Sequence, residues 1–339
     1  MTTDKMPGRQ GSPTAYDDED IRLSVVIPVY GSEATLPDLT TQLAATLAGM
    51  PTMGGKAEVI MVCDASPDRS WSVLQRLVQE HEFLRAIRLR KNVGQHNTLM
   101  AGLRHARGKV IVTMDDDLQH SPTDIPALYA KIADGRDACY AHFGKRHHAA
   151  WKRWGSWLND MMARLLLGKP KDLYLSSFKA FRREIADEIV NYPGPFVYID
   201  GLILAATSDI ATIQVEHHRR HAGKSGFSFR KSVLLWTEMA TGFSVIPLRF
   251  ASTLGFITSG LGFLLAFLFV LQRFTLNRMP DGWSSLIVTV LIMGGVQLLA
   301  IGVIGEYLGR VLLTANRKPQ YTIAEVSDAK TPHGKAETR

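Results

Sequence analysis

Leu23–Tyr30 reads LSVVIPVY and stops at Gly31. A run this short, apolar and β-branched has the length and stiffness of a strand buried on both faces. The signal returns in Glu58–Cys63 (EVIMVC), Ala86–Leu89 and Val110–Met114 (VIVTM), with helical patterns between at Leu36–Leu47, Trp71–Glu80 and Gln95–Arg107. Strands alternating with helices predict βαβ units around a mostly parallel, Rossmann-like sheet, an α/β domain over residues 21–225. Residues 1–20 are rich in Gly, Pro, Thr and Asp without a periodic apolar face, which reads as a flexible lead. No apolar stretch follows its positive charges, so it does not read as a signal peptide.

The last third has another character. Residues 250–272 and 282–305 carry no charged residue, and each exceeds the roughly 20 residues that cross a bilayer core. They predict a transmembrane hairpin, with 306–339 as a cytosolic tail. Arg249, Arg310, Arg317 and Lys318 flank the outer ends, against Arg273 and Arg278 in the linker, which favours a cytosolic face for both ends. Two other stretches read as interfacial. Residues 145–167 mix Lys and Arg with three tryptophans ahead of an apolar run, and 226–249 combine Arg230, Lys231 and Trp236 with apolar residues. An ordinary surface helix is the alternative for the first.

Composition agrees with a soluble domain joined to a membrane part. Of 339 residues, 46% are hydrophobic, which excludes wholesale disorder, and only 21% are charged. The net charge of +7 calls for an anionic partner: nucleic acid, membrane surface or phosphorylated substrate. The cations cluster near membrane-directed segments, so lipid phosphate accounts for them more simply than nucleic acid does. Two cysteines, Cys63 and Cys139, exclude a disulfide-built fold.

Acids at strand ends are the candidate chemistry. Asp64 closes the second strand, and Asp115-Asp116-Asp117 closes the VIVTM strand. Ligands of open parallel sheets sit beyond the carboxyl ends of the strands. Three adjacent acids repel one another unless a cation neutralises them, and hard oxygens favour Mg2+ or Mn2+ bridged to a diphosphate. Side-chain alternation predicts that Asp115 and Asp117 face one side. A solvated acidic turn is the competing reading. GxGxxG and GxxxxGK[ST] are missing, which removes the main support for a dehydrogenase or a P-loop NTPase. The adjacent pairs His147-His148 and His217-His218 do not share a face and are poor metal ligands. Arg219, Arg220 and Lys224 fall in a Gly- and Ser-rich stretch suited to an oxyanion, or to lipid headgroups alone.

Taken in order, these residues resemble glycosyltransferase family 2 with its GT-A fold, and within it the membrane-tethered polyprenyl-phosphate branch. The matching text is Val26-Ile27-Pro28-Val29-Tyr30, Asp64-Ala65-Ser66-Pro67-Asp68, Asn92-Val93-Gly94-Gln95-His96 and Asp115-Asp116-Asp117-Leu118-Gln119 with Pro122. Later come Gly223-Lys224-Ser225, Ser244 with Pro247-Leu248-Arg249, and Gly305-Glu306-Tyr307-Leu308-Gly309-Arg310. The resemblance implies transfer of one sugar from a UDP- or GDP-linked donor to polyprenyl phosphate, by a multi-pass protein of the bacterial inner membrane, often a tetramer. It implies that Pro28, Tyr30 and Glu33 line the nucleotide site and Asp64 holds the base or ribose. Asp115 and Asp117 would hold the metal, with Asp116 beside them and Gln119 near the donor sugar. Arg219, Arg220, Lys224, Lys152 and Arg153 would meet the lipid phosphate. Cys63 stands where relatives carry an acid, and Leu173 aligns with their proposed catalytic base, with Asp172 one position away. A polysaccharide synthase would carry QxxRW, which is missing. A non-catalytic membrane scaffold is the reading from another class.

Overall fold

The computed structural model describes residues 21–50, 57–143, 161, 164, 169–170, 173–215, 246–276, 282–316 and 318–328. The chain runs β1 (Leu23–Val29), α1 (Leu36–Ala48), β2 (Ala57–Cys63), α2 (Ser70–Glu80), β3 (Leu84–Leu89), α3 (Gln95–His105), β4 (Val110–Thr113), α4 (Ile125–Ala133) and β5 (Ala138–Phe143). It continues as β6 (Lys179–Arg182), α5 (Arg183–Val190), α6 (Ile199–Ala206), β7 (Ile210–Val215), α7 (Ile246–Leu276), α8 (Trp283–Ala315) and β8 (Ile323–Asp328).

The described strands form one sheet in the order β7-β5-β6-β4-β1-β2-β3-β8. Its centre, β4-β1-β2-β3, is parallel, as the βαβ reading requires. The flanks are mixed: β6 pairs antiparallel with β4 and β5, β5 pairs parallel with β7, and β8 pairs antiparallel with β3. Residues of β1 alternate between two cores. Leu23, Val25, Ile27 and Val29 pack with α1, α2 and α4, whereas Val26 packs with α3, α5 and α6. This two-sided burial explains the near-continuous apolar run of β1. Helix α3 approaches the sheet so closely that a Cβ on Gly102 would lie 2.3 Å from Val26 Cγ1.

Two sequence boundaries need correction. The VIVTM strand ends at Thr113, so residues 115–117 lie in a loop and strand alternation does not govern their directions. The segment expected as a tail is not one: α8 runs to Ala315, and residues 323–328 return as the edge strand β8. That strand is held by Arg85–Asp328 at 2.5 Å, Gln75 Nε2 donating to Glu325 at 2.9 Å, and the Arg90 amide donating to Thr322 O at 2.9 Å. Its pairing partner lies more than two hundred residues away, so no local pattern announces it.

Helices α7 and α8 are long and apolar enough to cross a membrane, with mean hydropathy of 1.4 over Leu248–Leu265 and 1.6 over Ile292–Ala315. At 31 and 33 residues, they rise about 46 and 50 Å, longer than the hydrocarbon core of roughly 30 Å. Many of their described apolar side chains, such as Phe256 (81% exposed) and Leu298 (72%), are exposed. A contiguous apolar surface of this size demands lipid or another apolar partner. Near the C-terminal end of α8, the Arg310 guanidinium sits 4.6 Å from the Phe196 ring centroid, joining the helix to the α/β domain.

Candidate active site

In the strand order, β1 has β4 on one side and β2 on the other, so chain connections leave in opposite directions at the β4/β1 boundary. Loops diverge at such a switch point and leave a crevice beyond the strand ends. The cleft there has a volume of about 310 Å³. Pro28, Val29 and Tyr30 line it from β1, Asp64 from β2, Asn92, Gly94, Gln95 and Thr98 from the start of α3, and Asp115, Asp116 and Asp117 from the loop after β4.

Each acid has a distinct setting. Asp64, 4% exposed, accepts from the Val93 amide through Oδ1 (2.8 Å) and the Gly94 amide through Oδ2 (3.0 Å). It thereby shapes the turn into α3, where Gly94 takes φ +82°, a conformation that glycine adopts freely. Asp116 accepts from the Tyr30 amide (3.1 Å) and from Ser32 Oγ (2.5 Å), while its carbonyl accepts from Thr35 Oγ1 (3.0 Å). It therefore staples the loop after β1 to the loop after β4. Burial pushes its pKa up to about 6, against the opposing pull of the Ser32 and Tyr30 hydrogen bonds.

Asp115 accepts from Gln95 Nε2 at 2.6 Å and Ser177 Oγ at 2.5 Å. Burial raises its pKa; nearby His120, the Ser177 hydroxyl and Lys179 pull it down, while Asp117 pushes it up. Asp117 Oδ1 accepts from the Gln119 amide at 3.1 Å, a local turn in which Leu118 takes φ +58°. A left-handed backbone at a leucine costs energy and persists only where the surroundings impose it. His120 closes the loop: its Nδ1 faces the Asp115 amide at 3.5 Å, and its ring stacks on Phe178 with centroids 5.2 Å apart. Burial lowers the His120 pKa, which suits an imidazole accepting from that amide.

Of the residues named from the sequence, Pro28, Tyr30, Asp64, Asp115, Asp116 and Asp117 line this one cleft. Glu33 is not among its lining residues. Its carboxylate accepts from the Arg69 amide at 2.9 Å and its own amide donates to Asp68 at 3.2 Å, so it ties the loop after β1 to the loop after β2. Gln119 is likewise absent from the lining, and its backbone amide donates to Asp117. Cys63 is buried in the core, and burial raises its thiol pKa. Leu173 is buried and its carbonyl accepts from Lys169 Nζ. Asp172, Lys152, Arg153, Arg219, Arg220 and Lys224 lie outside the described residues.

Ser177, His120 and Thr98 are the residues that the sequence reading passed over. Ser177 sits sixty-two positions from Asp115 and meets it only because β6 runs antiparallel beside β4, with Thr113 Oγ1 donating to Ser177 O at 2.9 Å. Gln95 was legible as part of a motif, but its bond to Asp115 was not.

The family model of Glycosyl transferase family 2 matches residues 24–190. The undecaprenyl-phosphate 4-deoxy-4-formamido-L-arabinose transferase of Enterobacter sp. (strain 638) is 33% identical over 308 residues, covering 90% of this chain and 93% of its own. The transferase of that name from Pseudomonas aeruginosa (strain LESB58) is 33% identical over 307 residues, covering 90% of each chain. Among solved structures, one titled "Crystal Structure of a Mycobacterial Protein" is similar at a TM-score of 0.49 with 17% identity, covering 65% of this chain and 73% of that one. With a relative 33% identical over 90% of this chain and the family model matched over residues 24–190, the chain belongs to glycosyl transferase family 2 and has its GT-A fold.

Proposed function

We propose that the protein is an inverting glycosyltransferase that moves a single sugar from a nucleotide-sugar to polyprenyl phosphate, working at the cytosolic face of a bacterial inner membrane. One observation carries the reading: an acid-lined cleft at the switch point of a GT-A sheet, in a chain that also bears two lipid-length apolar helices. The names of the relatives, matched along nearly the whole chain, support undecaprenyl phosphate as the acceptor and a lipid-linked monosaccharide for lipopolysaccharide modification as the product.

The donor set fits a divalent cation, Mg2+ or Mn2+, held jointly with the donor. Asp115 and Asp117 offer hard oxygens, and among the described residues no group of three His, Cys, Asp or Glu forms a complete cage. Such cations are commonly held by one or two carboxylates with substrate phosphates and water at the other positions. When bound, the cation supplies charge stabilisation for the departing diphosphate. In this reading Pro28, Tyr30 and Asp64 bind the nucleoside, and Asp116 keeps the β1 loop closed over it. Arg219, Arg220, Lys224, Lys152 and Arg153 hold the acceptor phosphate.

The bond changes balance without a base. A phosphate oxygen of the acceptor forms a bond to the anomeric carbon, the bond from that carbon to the donor diphosphate breaks, and its electron pair leaves with the nucleoside diphosphate. A phosphate monoester has a second pKa of about 6 and is already largely anionic at neutral pH. No proton need be removed, so Asp172 is dispensable as a base, and the enzyme's task is to orient two anions and offset their repulsion. Assembly as a homotetramer belongs to the same reading.

The test is a donor screen with short-chain polyprenyl phosphate, read by product mass. Wild-type protein is expected to give a sugar–phosphate–lipid product, and Asp117→Ala none, with an unchanged melting temperature. Full activity in Asp117→Ala removes the metal assignment. Binding of nucleotide-sugar without any product favours the scaffold reading.

A further inference from the structure

Beneath the cleft lies a buried ion pair that the mechanism above does not use. Lys179 on β6 is 2% exposed and pairs with Asp200 in the first turn of α6. Tyr140 on β5, fully buried, donates its hydroxyl to Asp200 Oδ1 at 2.9 Å, and the Lys179 ammonium lies 5.2 Å from the Tyr140 ring centroid. Neither charged residue lines the cleft. Desolvating two charges commonly costs as much as their attraction returns, and apolar replacements of such pairs are often neutral or stabilising. Stability alone is therefore a weak reason for this pair.

Its position relative to Asp115 offers a better one. Asp115 has two side-chain donors, and each belongs to a segment tied to the pair. Ser177, at 2.5 Å from Asp115 Oδ2, lies two residues before Lys179. Gln95, at 2.6 Å from Asp115 Oδ1, immediately precedes His96. The Ile199 amide donates to His96 Nδ1 at 3.4 Å, next to Asp200, and the His96 and Tyr198 rings meet edge-on at 5.0 Å. The contacts close a ring: Asp115, Gln95, His96, Ile199 with Asp200, Lys179, Ser177, and Asp115 again. Breaking the ring at the ion pair leaves α6 joined to α3 through Ile199 and His96 but uncouples both from the segment ahead of β6.

We propose that Lys179 and Asp200 are positioning residues, a clamp that fixes the first turn of α3 and the segment ahead of β6 so that Gln95 and Ser177 hold the Asp115 carboxylate in the orientation that the donor diphosphate requires. The proposal rests on the donor-binding reading above. His96 suits its place in the ring as a neutral acceptor, since burial depresses its pKa to about 4.

The test uses the full-length protein in detergent. Melting temperature, calorimetric binding of UDP and of GDP with Mn2+, and product formation are each measured. Lys179→Met alone leaves the Asp200 carboxylate buried without its cation and is expected to melt well below wild type. The double variant Lys179→Met/Asp200→Leu removes both charges, and its melting temperature is expected to recover above that of Lys179→Met, short of wild type because the buried Tyr140 hydroxyl loses its acceptor. If the pair positions Asp115, the double variant still binds Mn2+–nucleoside diphosphate about tenfold or more weakly, because displacements below 1 Å in a site carry penalties of that order. Wild-type binding in a folded double variant overturns the clamp. Should the double variant not fold, Tyr140→Phe tests the same ring by deleting one hydrogen bond to Asp200; it is expected to weaken binding by about threefold or more, and unchanged binding overturns the proposal. Wild-type protein that binds neither nucleotide overturns the donor reading and the clamp with it, whereas wild-type binding retained in the variants overturns the clamp alone.

Discussion

Replacing Asp64 with alanine should damage stability and nucleotide binding together, because one carboxylate does two jobs. Its oxygens accept from the Val93 and Gly94 amides at 2.8 and 3.0 Å, and the side chain is 4% exposed, so water cannot replace it in place. A hydrogen bond to a charged group contributes about 1.5–3 kcal/mol, and two such bonds give about 3–6 kcal/mol. For a domain of this size 1 kcal/mol moves the melting temperature by about 2–4 °C, so Asp64→Ala should melt about 6–24 °C below wild type. Asp64→Asn keeps the shape and one acceptor but turns an amide NH2 toward the second N–H, so it should lose about half as much or more. Asn92, Gly94 and Gln95 line the cleft, so nucleotide affinity should fall in the same order, wild type above Asn above Ala. The assay is thermal unfolding in detergent with and without nucleoside diphosphate. Asp64→Ala within about 1 kcal/mol of wild type would refute the claim that this carboxylate holds the loop.

Three further outcomes probe the rest of the scaffold. Glu58, far from the cleft, accepts from Ser24 Oγ, the Arg107 amide and the Arg107 Nη2, each at 2.7 Å, so Glu58→Gln should lower stability by about 2 kcal/mol while leaving the turnover number intact; a turnover change at unchanged melting would contradict that division. Truncation before Tyr321 deletes β8, uncovers the edge of β3 and breaks the Arg85–Asp328 pair, and should lower the melting temperature and promote association visible by light scattering. An unchanged, monodisperse protein would show that the edge strand is dispensable. Stability should also depend on pH through His96. Its folded pKa of about 4 lies below its ordinary 6.5, so the unfolded chain binds the extra proton, and stability is complete above about 6.5 and lost as pH falls toward 4. Asp116, raised to about 6, works in the opposite direction over much of the same window. Denaturant midpoints from pH 4 to 7 should therefore fall less steeply on acidification in His96→Gln than in wild type, and parallel profiles would contradict the assignment.

Much of the α/β domain was legible because its signals are local. β1 and β2 are buried on both faces, so their apolar runs needed no partner to be recognised. The strand-end acids were legible for a similar reason, since a parallel sheet delivers its carboxyl ends to one edge whatever the details of packing. The uncharged segments 250–272 and 282–305 follow the same rule at the scale of a bilayer, and the helices only extend past them at their ends. β8 was missed because Ile323–Asp328 (IAEVSD) is half polar, as an edge strand should be, and half polar also describes a tail.

The sequence by itself determined the alternation of buried strands and helices, the acids at the strand ends and the apolar segments of membrane length. These depend on the periodicity and hydrophobicity of contiguous residues, and no distant contact is needed to state them. Only the tertiary structure decided which acid does what. Asp64, Asp115 and Asp116 are alike as letters, but their partners are Val93 and Gly94, Gln95 and Ser177, and Tyr30 and Ser32. Those partners arrive from other strands and helices, and a carboxylate's hydrogen bonds and burial, which govern its charge and orientation, are properties of the assembled neighbourhood.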